Sequence, residues 1–213
     1  MGYKLYYFDI YGRAESIRFL LTHAKAEFED VRVNGEAVAE LKAAGKLEFG
    51  QVPMLEHDGK HLVQSWSILR YLGKLHGYYP ETSEQAWAVD STIDAVEDYM
   101  TKYFKAVFEK DEERKKTLEG DFLAWLPSWI AAIQKRIESN SNPDFIVGDK
   151  RTIADFALAI VAFNFINNEA NPHYAATAPL TKKEDHPVLT AYLTKLHDEL
   201  KDYLTSRPQP RPY

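Results

Sequence analysis

Residues 3–33 read YKLYYFDIYGRAESIRFLLTHAKAEFEDVRV. The aromatic-rich opening predicts a strand that begins at Tyr3 and ends near Gly12, and the alternation in Phe28–Val33 predicts a second strand. Between them, the apolar residues of Ala14–Lys25 recur at helical spacing, which predicts a helix. The chain therefore opens with a β-α-β unit.

The next 45 residues extend this unit. Pro53–Val63 has the pattern of a hairpin that turns at Asp58-Gly59, and a helix is expected from Ser65 to about His76. The whole unit is predicted to be β-α-β-α-β-β-α.

From Thr82 onward the pattern is helical almost throughout. Long amphipathic stretches cover 83–109, 113–139 and 153–168, and a shorter one covers 187–204. With the break at Gly77-Tyr-Tyr-Pro80, this predicts an α+β protein with domains at 1–77 and 83–213 and a linker at 78–82. The proline-rich tail from Arg207 to Tyr213 is not able to continue a helix and is expected on the surface.

Composition narrows the possible functions. The 213 residues are 45% hydrophobic and include no cysteine, so disulfides, thiolate metal sites and protein-based thiol redox chemistry are excluded. Any sulfur chemistry has to come from a ligand. The net charge of −6, without a basic stripe, disfavours nucleic acid. No apolar run reaches about 18 residues, and the first residues do not form a signal peptide, so a cytoplasmic protein is expected, with no membrane association.

Three short motifs bear on the chemistry. In order and spacing they resemble three glutathione-site motifs of cytosolic glutathione transferases, and the Tyr-Phe pair with the following Gly-Arg-Ala-Glu is most similar to the sigma class. The motifs are Tyr7-Phe8-x-x-x-Gly12-Arg13-Ala14-Glu15, Phe49-Gly50-Gln51-Val52-Pro53, and Gln64-Ser65-x-x-Ile68-x-x-Tyr71-Leu72. The resemblance covers essentially the whole chain and implies a thioredoxin-like N-terminal domain followed by an all-helical domain.

The resemblance implies a binding role for several of these residues. Ser65 starts a helix, so its hydroxyl and backbone N–H are suited to the γ-glutamyl carboxylate, with help from Gln64. In the family the bond before Pro53 is cis, which turns the backbone of Val52 toward the cysteine of glutathione. Gln51 lines the same groove.

Further roles carry over from the family with Lys42 and Asp98. Lys42 matches the lysine that reaches the glycine carboxylate of glutathione. Asp98 matches the aspartate that reaches the ammonium from the other subunit, so a homodimer is implied. In sigma-class members a tryptophan four residues before the lysine also binds the glycine carboxylate. Val38 stands at that position here, so weaker or different anchoring is expected, and Lys46 is an alternative to Lys42.

The implied chemistry is ionisation of the glutathione thiol. A free thiol has a pKa of about 8.5, and a hydrogen bond to an ion contributes about 1.5–3 kcal/mol. A hydrogen bond from Tyr7 to the thiolate would therefore lower this pKa by one to two units, with Arg13 adding positive potential. The thiolate then attacks a hydrophobic electrophile, in a pocket for which Phe8, Met100 and Phe104 are candidates.

The acidic residues Asp94, Glu97 and Asp98 share one helix face. Some sigma-class prostaglandin isomerases bind a divalent metal there. A solvated face is the simpler interpretation, so no metal is predicted. The histidines have no metal-ligand spacing.

Three functions remain open. The leading one is conjugation of glutathione, as co-substrate, to electrophiles in detoxification. The second is glutathione-dependent isomerisation of prostaglandin H2 to the D form. The third is a non-catalytic role, as a crystallin-like protein or a carrier of hydrophobic ligands, which retention of Tyr7, Arg13, Gln64 and Ser65 disfavours. A thioredoxin-like oxidoreductase is disfavoured more strongly, because its redox cysteines are missing.

Overall fold

The computed structural model describes residues 2–208 and Arg211. Its N-terminal part is the predicted β-α-β-α-β-β-α unit. Its four strands lie in the order β2-β1-β3-β4, with β1 parallel to β2 and antiparallel to β3, and β3 antiparallel to β4. The elements are β1 Tyr3–Phe8, α1 Glu15–His23, β2 Phe28–Val33, α2 Gly35–Ala43, β3 Met54–His57, β4 Lys60–Val63 and α3 Ser65–His76. The fold class is therefore confirmed.

The local signals account for several of these boundaries. The hairpin turns at Asp58 and Gly59, which both have positive φ, as a two-residue hairpin turn requires. Helix α3 buries Ile68, Leu69 and Leu72, which share one face at helical spacing.

The rest of the chain is helical. The elements are α4 Ser83–Val107, α5 Glu112–Glu138, α6 Ile153–Ile160, a π-helical segment Val161–Ile166, α7 Tyr174–Thr177, a 3-10 turn Ala178–Thr181 and α8 Pro187–Ser206. The predicted helix 153–168 is thus shorter and changes to π geometry at Val161. Helix α7 and the 3-10 turn were not predicted, because elements of four residues are too short to produce a periodic pattern.

One apolar core joins the two halves of the molecule. Leu5 and Leu72 from the first domain and Met100 and Phe156 from the second belong to the same buried cluster. Helix α3 approaches α6 closely at Gly73, where an added Cβ would lie 2.4 Å from Cγ2 of Ile153. Helix α3 ends at His76 and α4 begins at Ser83, and the proposed domain boundaries stay a prediction.

The expectation of a surface tail was wrong for Arg207. This side chain is only 8% exposed, and its Nη1 donates to Oε1 of Glu15 at 2.5 Å. A buried carboxylate 192 residues away in sequence binds the first tail residue, and local composition does not reveal such a partner. Gln209, Pro210, Pro212 and Tyr213 lie outside the described residues.

Within the described residues, none of the helices has both the length and the apolar character needed to cross a bilayer.

Candidate functional site

Tyr7 lies near the end of β1 and is 6% exposed. Its hydroxyl oxygen accepts a hydrogen bond from the backbone N–H of Arg13 at 3.1 Å, and the Arg18 guanidinium lies 5.8 Å from the ring centre. Burial raises the pKa of the Tyr7 phenol, and the Arg13 N–H with the charges of Arg13 and Arg18 offsets only part of that rise. The phenol therefore stays protonated at neutral pH, and within the described chain its O–H has no acceptor.

Gly12 allows the Tyr7 hydroxyl to sit where it does. Its φ is +45°, and an added Cβ would lie 2.6 Å from the Tyr7 hydroxyl oxygen and 2.8 Å from the ring. A side chain at this position would strain the backbone and displace the phenol. The position of Tyr7 thus explains why the first motif has a glycine at residue 12.

Arg13 is bound to a carboxylate of the helical domain. Its Nη1 and Nη2 donate to the two oxygens of Glu97 at 2.5 and 2.9 Å, and the indole N–H of Trp66 donates to the same carboxylate at 2.7 Å. Burial would raise the pKa of Glu97, but the bonds from Arg13, Trp66 and Thr101 and the charge of Arg13 hold it below its usual value. The Arg13 charge is therefore paired.

A cavity of about 340 Å³ opens beside this ion pair. It brings together five of the predicted glutathione residues and one predicted catalytic residue with two residues that were not assigned to the site. Its lining consists of Arg13, Gln51, Val52, Pro53, Gln64, Ser65, Trp66 and Glu97. Three larger cavities, of about 700, 680 and 400 Å³, lie elsewhere in the described part of the chain, and no residue predicted for glutathione lines any of them.

Gln64 and Ser65 form the wall of this cavity at the start of α3. Gln64 has φ +72° and ψ 108°, an uncommon conformation for a residue with a side chain, of the kind that concentrates at functional sites. Ser65 is 6% exposed and is the first residue of the 12-residue helix α3. An anion at this end of the cavity would meet unpaired backbone N–H groups.

The segment before β3 also lines this cavity, through Gln51, Val52 and Pro53. The bond between Val52 and Pro53 is cis, as the resemblance implied. Lys42 is exposed, and its side chain lies over Gly50, where an added Cβ would approach Lys42 Cε to 3.1 Å. Val38 packs against a small apolar cluster of Leu47, Met54 and Val63.

The three candidates for the electrophile pocket differ in exposure. Phe8 is 38% exposed and lies 5.7 Å from the Tyr7 ring, centre to centre. Phe104 is half-buried, with the Arg13 guanidinium 5.9 Å from its ring centre. Met100 is fully buried. Phe8 and Phe104 thus offer surface to a ligand, Met100 does not in this conformation, and the pocket stays a prediction.

The acidic face of α4 divides into two parts. Glu97 is taken up by Arg13, whereas Asp94 and Asp98 are exposed. In the described part of the chain no three acidic or histidine side chains are grouped closely enough to hold a metal ion.

Sequence reasoning missed two residues of the cavity. Glu97 was noted only in the acidic cluster, and Trp66 was not noted at all. Trp66 directly follows Gln64 and Ser65, and this position next to two predicted binding residues could have identified it. The partner of Arg13 was beyond reach, because it lies 84 residues away.

Comparisons with known proteins identify the family of this chain. The glutathione S-transferase N-terminal domain model matches residues 3–74, and the glutathione S-transferase C-terminal domain model matches residues 97–207. The matched ranges cover the four-stranded unit and most of the helical half, and Tyr7 adjoins the cavity through the Arg13 N–H without lining it. The chain belongs to the glutathione S-transferase family.

Individual relatives span nearly the whole chain. Glutathione S-transferase P 1 of Xenopus laevis is 32% identical, with 96% of this chain and 92% of the relative covered. Prostaglandin synthase D of Nilaparvata lugens has a TM-score of 0.80 at 28% identity and covers 99% of this chain and 100% of its own. A structure described as a monomeric glutathione S-transferase of the hookworm Necator americanus has a TM-score of 0.80 at 28% identity and covers 99% of both chains.

Proposed function

We propose that the protein conjugates glutathione to hydrophobic electrophiles and that Tyr7 donates a hydrogen bond to the glutathione thiolate. The observation that carries this proposal is the state of the Tyr7 hydroxyl. Its oxygen accepts from the Arg13 N–H while burial keeps the phenol protonated, so the proton remains available to a thiolate. The chain contains no cysteine, so no protein thiol competes with glutathione as the nucleophile.

The proton balance of the reaction is simple. The thiol loses its proton to solvent, and the thiolate sulfur accepts the Tyr7 O–H. The sulfur then forms a bond to the electrophilic carbon, and the leaving group departs with the electron pair of the broken bond. Tyr7 lowers the pKa of the thiol and stays protonated throughout.

Arg13 contributes to this step chiefly through its backbone. Both terminal nitrogens of its side chain are bound to Glu97, so the positive potential first expected from it is largely cancelled. Its N–H orients the lone pairs of the Tyr7 hydroxyl and leaves the proton to point elsewhere. The side-chain pair with Glu97 then holds that backbone in place.

The γ-glutamyl end of glutathione is assigned to the start of α3. Its carboxylate would bind Ser65 and the helix N–H groups, with Gln64 beside it, and the cysteine backbone would pair with Val52 next to Pro53. Lys42 is proposed for the glycine carboxylate. Gln51 lines the same cavity.

The ammonium of glutathione needs an anion that the cavity does not supply. Glu97 is the carboxylate in its lining, and four donors already bind it: Arg13 twice, Trp66 and Thr101. A carboxylate has about four acceptor positions, so Glu97 is saturated. The neighbouring Asp98 is exposed, and we propose that it completes the site of a second subunit in a homodimer.

The finer assignments belong to the same proposal. Prostaglandin synthase D among the similar structures and the Gly-Arg-Ala-Glu motif support a sigma-type enzyme, and we propose that it works in the cytoplasm in detoxification, with no resident metal.

The decisive experiment is a pH titration of thiolate absorbance with glutathione bound. We expect the bound thiol to titrate about two units below its free value of roughly 8.5. Tyr7→Phe should raise that pKa by about one to two units, because it removes a hydrogen bond to an ion worth roughly 1.5–3 kcal/mol. Tyr6→Phe is the matched control, since the Tyr6 hydroxyl donates to Glu56 at 3.4 Å. An unshifted thiol without turnover of an activated aryl chloride would indicate a carrier or packing protein instead.

A second activity is supported by the similarity to prostaglandin synthase D. The same thiolate would attack one oxygen of the prostaglandin H2 endoperoxide, which forms an S–O bond and breaks the O–O bond, and the released oxygen would take up a proton. Loss of the proton from the carbon that carries the sulfur-bound oxygen would then form the ketone, break the S–O bond and return the thiolate with the D isomer. Incubation with prostaglandin H2 and glutathione should then yield D product above the spontaneous level, and Tyr7→Phe should lose it. Spontaneous product ratios would exclude this activity without affecting conjugation.

A further inference from the structure

The tail residue Arg207 is bound from three directions. Its Nη1 donates to Glu15 at 2.5 Å and to Oδ1 of Asn164 at 2.8 Å. Its guanidinium lies 3.9 Å from the centre of the Tyr11 ring, a stacking distance. Glu15 is fully buried and Arg207 nearly so, so this is an interior network that links the end of the chain to the start of α1.

Two further contacts join the same tail to the loop 9–12 that follows β1. The Tyr11 hydroxyl donates to the backbone carbonyl of Pro208 at 2.8 Å. Nη2 of Arg211 donates to both carboxylate oxygens of Asp9 at 2.8 Å. The backbone carbonyl of Arg211 in turn accepts from Asn168 at 2.7 Å, which fixes the tail to the helical domain.

The other side of this loop is held by the N-terminal domain. Arg18 donates to the carbonyls of Ile10 and Tyr11 at 3.2 and 3.1 Å, and Arg32 donates to the Ile10 carbonyl at 3.0 Å. Arg18 also binds Glu15 at 2.9 Å. The loop is therefore held between Arg18 and Arg32 on one side and the two tail arginines on the other. Glu15 accepts hydrogen bonds from both sides, from Arg18 and from Arg207.

This loop separates the two groups whose contact defines the candidate catalytic position. Tyr7 lies before it on β1, and the Arg13 N–H that binds the Tyr7 hydroxyl follows it. A shift of the loop moves that N–H relative to the hydroxyl oxygen, and misplacement of about 1 Å near reacting groups lowers rates by roughly a hundredfold.

We propose that Arg207 and Arg211 are positioning residues for Tyr7, acting through the loop 9–12. This inference rests on the proposed role of Tyr7. Neither arginine touches the residues proposed to bind the glutathione carboxylates, which lie on α2 and at the start of α3. We therefore expect substitutions of Arg207 or Arg211 to change thiol ionisation and turnover and to leave glutathione binding unchanged.

The test uses the full-length protein and three variants. Arg207→Lys keeps a cation for Glu15 but loses the planar stack on Tyr11. Arg211→Ala removes an ion pair whose Asp9 side is 55% exposed, so the fold is retained even if Arg207→Lys fails to fold. Lys195→Ala is the control, since it removes an ion pair of similar exposure with Asp144 that is remote from the loop.

Four quantities are measured for each protein: turnover, the KM for glutathione, the pKa of the bound thiol, and amide hydrogen exchange of residues 9–13. We expect about tenfold lower turnover for Arg207→Lys and about threefold lower for Arg211→Ala, with the thiol pKa raised and the KM within about twofold of the parent. Exchange of residues 9–13 should be faster in both variants and unchanged in Lys195→Ala.

Two results would overturn the proposal. Unchanged exchange would show that the tail does not hold the loop. Faster exchange with parental turnover and thiol pKa would show that it stabilises the protein without positioning Tyr7. An unshifted thiol pKa in the parent protein would count against the proposed function. Hydrogen exchange does not involve the thiol, so it would still test whether the tail holds the loop 9–12.

Discussion

At the scale of single residues, the position of Tyr7 depends on the residues that contact its hydroxyl. The phenol packs directly on Gly12 and accepts from the Arg13 N–H. A buried phenol in such a confined position has one orientation, which is what a fixed donor to a thiolate requires.

Gly12→Ala should displace this phenol. The new Cβ would meet the Tyr7 oxygen at 2.6 Å at a φ of +45°, so we expect turnover to fall by tenfold or more and the free energy of unfolding to drop by about 1–3 kcal/mol. Steady-state kinetics and urea unfolding check both. Gly59→Ala is the matched control, since Gly59 has φ +74° but nothing within 4 Å of an added Cβ. Gly59→Ala should lower the free energy of unfolding and leave turnover unchanged.

Ser65→Ala should act on binding instead of ionisation. Ser65 lines the cavity at the start of α3 and is proposed to contact a carboxylate, and losing a hydrogen bond to an ion costs about 1.5–3 kcal/mol. Calorimetry should show glutathione affinity reduced about tenfold to a hundredfold, while the thiol pKa of the saturated protein stays at the parental value. An effect confined to turnover would contradict the assigned role.

At the scale of elements, helices α3 and α6 set how the two domains meet. Gly73 on α3 contacts Ile153 at the first turn of α6, and the Ile153 N–H donates to the carbonyl of Tyr78 at 2.9 Å. Since Ser65 lies on α3, this contact also fixes the cavity wall relative to Glu97 on α4.

Gly73→Ala should separate these helices. The added Cβ would come within 2.4 Å of Ile153 Cγ2, and overpacking of this kind costs about 1–3 kcal/mol, more than the helix-propensity gain of about 1 kcal/mol. Thermal unfolding should show a lower Tm. Gly120→Ala in α5 is the control, because no atom lies near its added Cβ, and it should raise the free energy of unfolding by about 0.5–1 kcal/mol. Equal effects from both changes would argue against close packing at Gly73.

At the scale of the whole molecule, one network of polar side chains joins the first helix to the last. Glu199 on α8 accepts two hydrogen bonds from Arg151, at 2.7 and 2.9 Å, and lies 3.5 Å from Nε2 of His23 on α1. Burial would raise the pKa of Glu199, but the hydrogen bond and charge of Arg151 and the proximity of His23 hold it below its usual value.

This lowered pKa predicts acid sensitivity with a definite sign. The stabilisation from Glu199 is fully present above its unfolded pKa of about 4.3 and is lost as pH falls through the lower folded value. Glu199→Gln should therefore destabilise the protein by about 2 kcal/mol at neutral pH and flatten the decline of stability below pH ~4.3. Chemical unfolding at a series of pH values measures this. A parallel decline in parent and variant would remove Glu199 from the acid response.

The sequence predicted the elements that are long or strongly patterned. Helix α3 was predicted at its observed bounds, and the hairpin turn at Asp58-Gly59 was correct, because an amphipathic face and a positive-φ turn are local properties. Helix α7 escaped prediction because four residues make barely one turn. The π geometry from Val161 was also missed, because it leaves the apolar pattern intact.

The sequence by itself determined the β-α-β-α-β-β-α unit, the helical second half and the motifs around Tyr7, Pro53 and Ser65. Only the tertiary structure decided that Arg13 is paired with Glu97 and that Arg207 is buried against Glu15. The physical reason is distance along the chain: these partners are separated by 84 and 192 residues. Periodicity and turn chemistry act over a few residues, whereas the pairing of charges depends on which helices the shared core brings together.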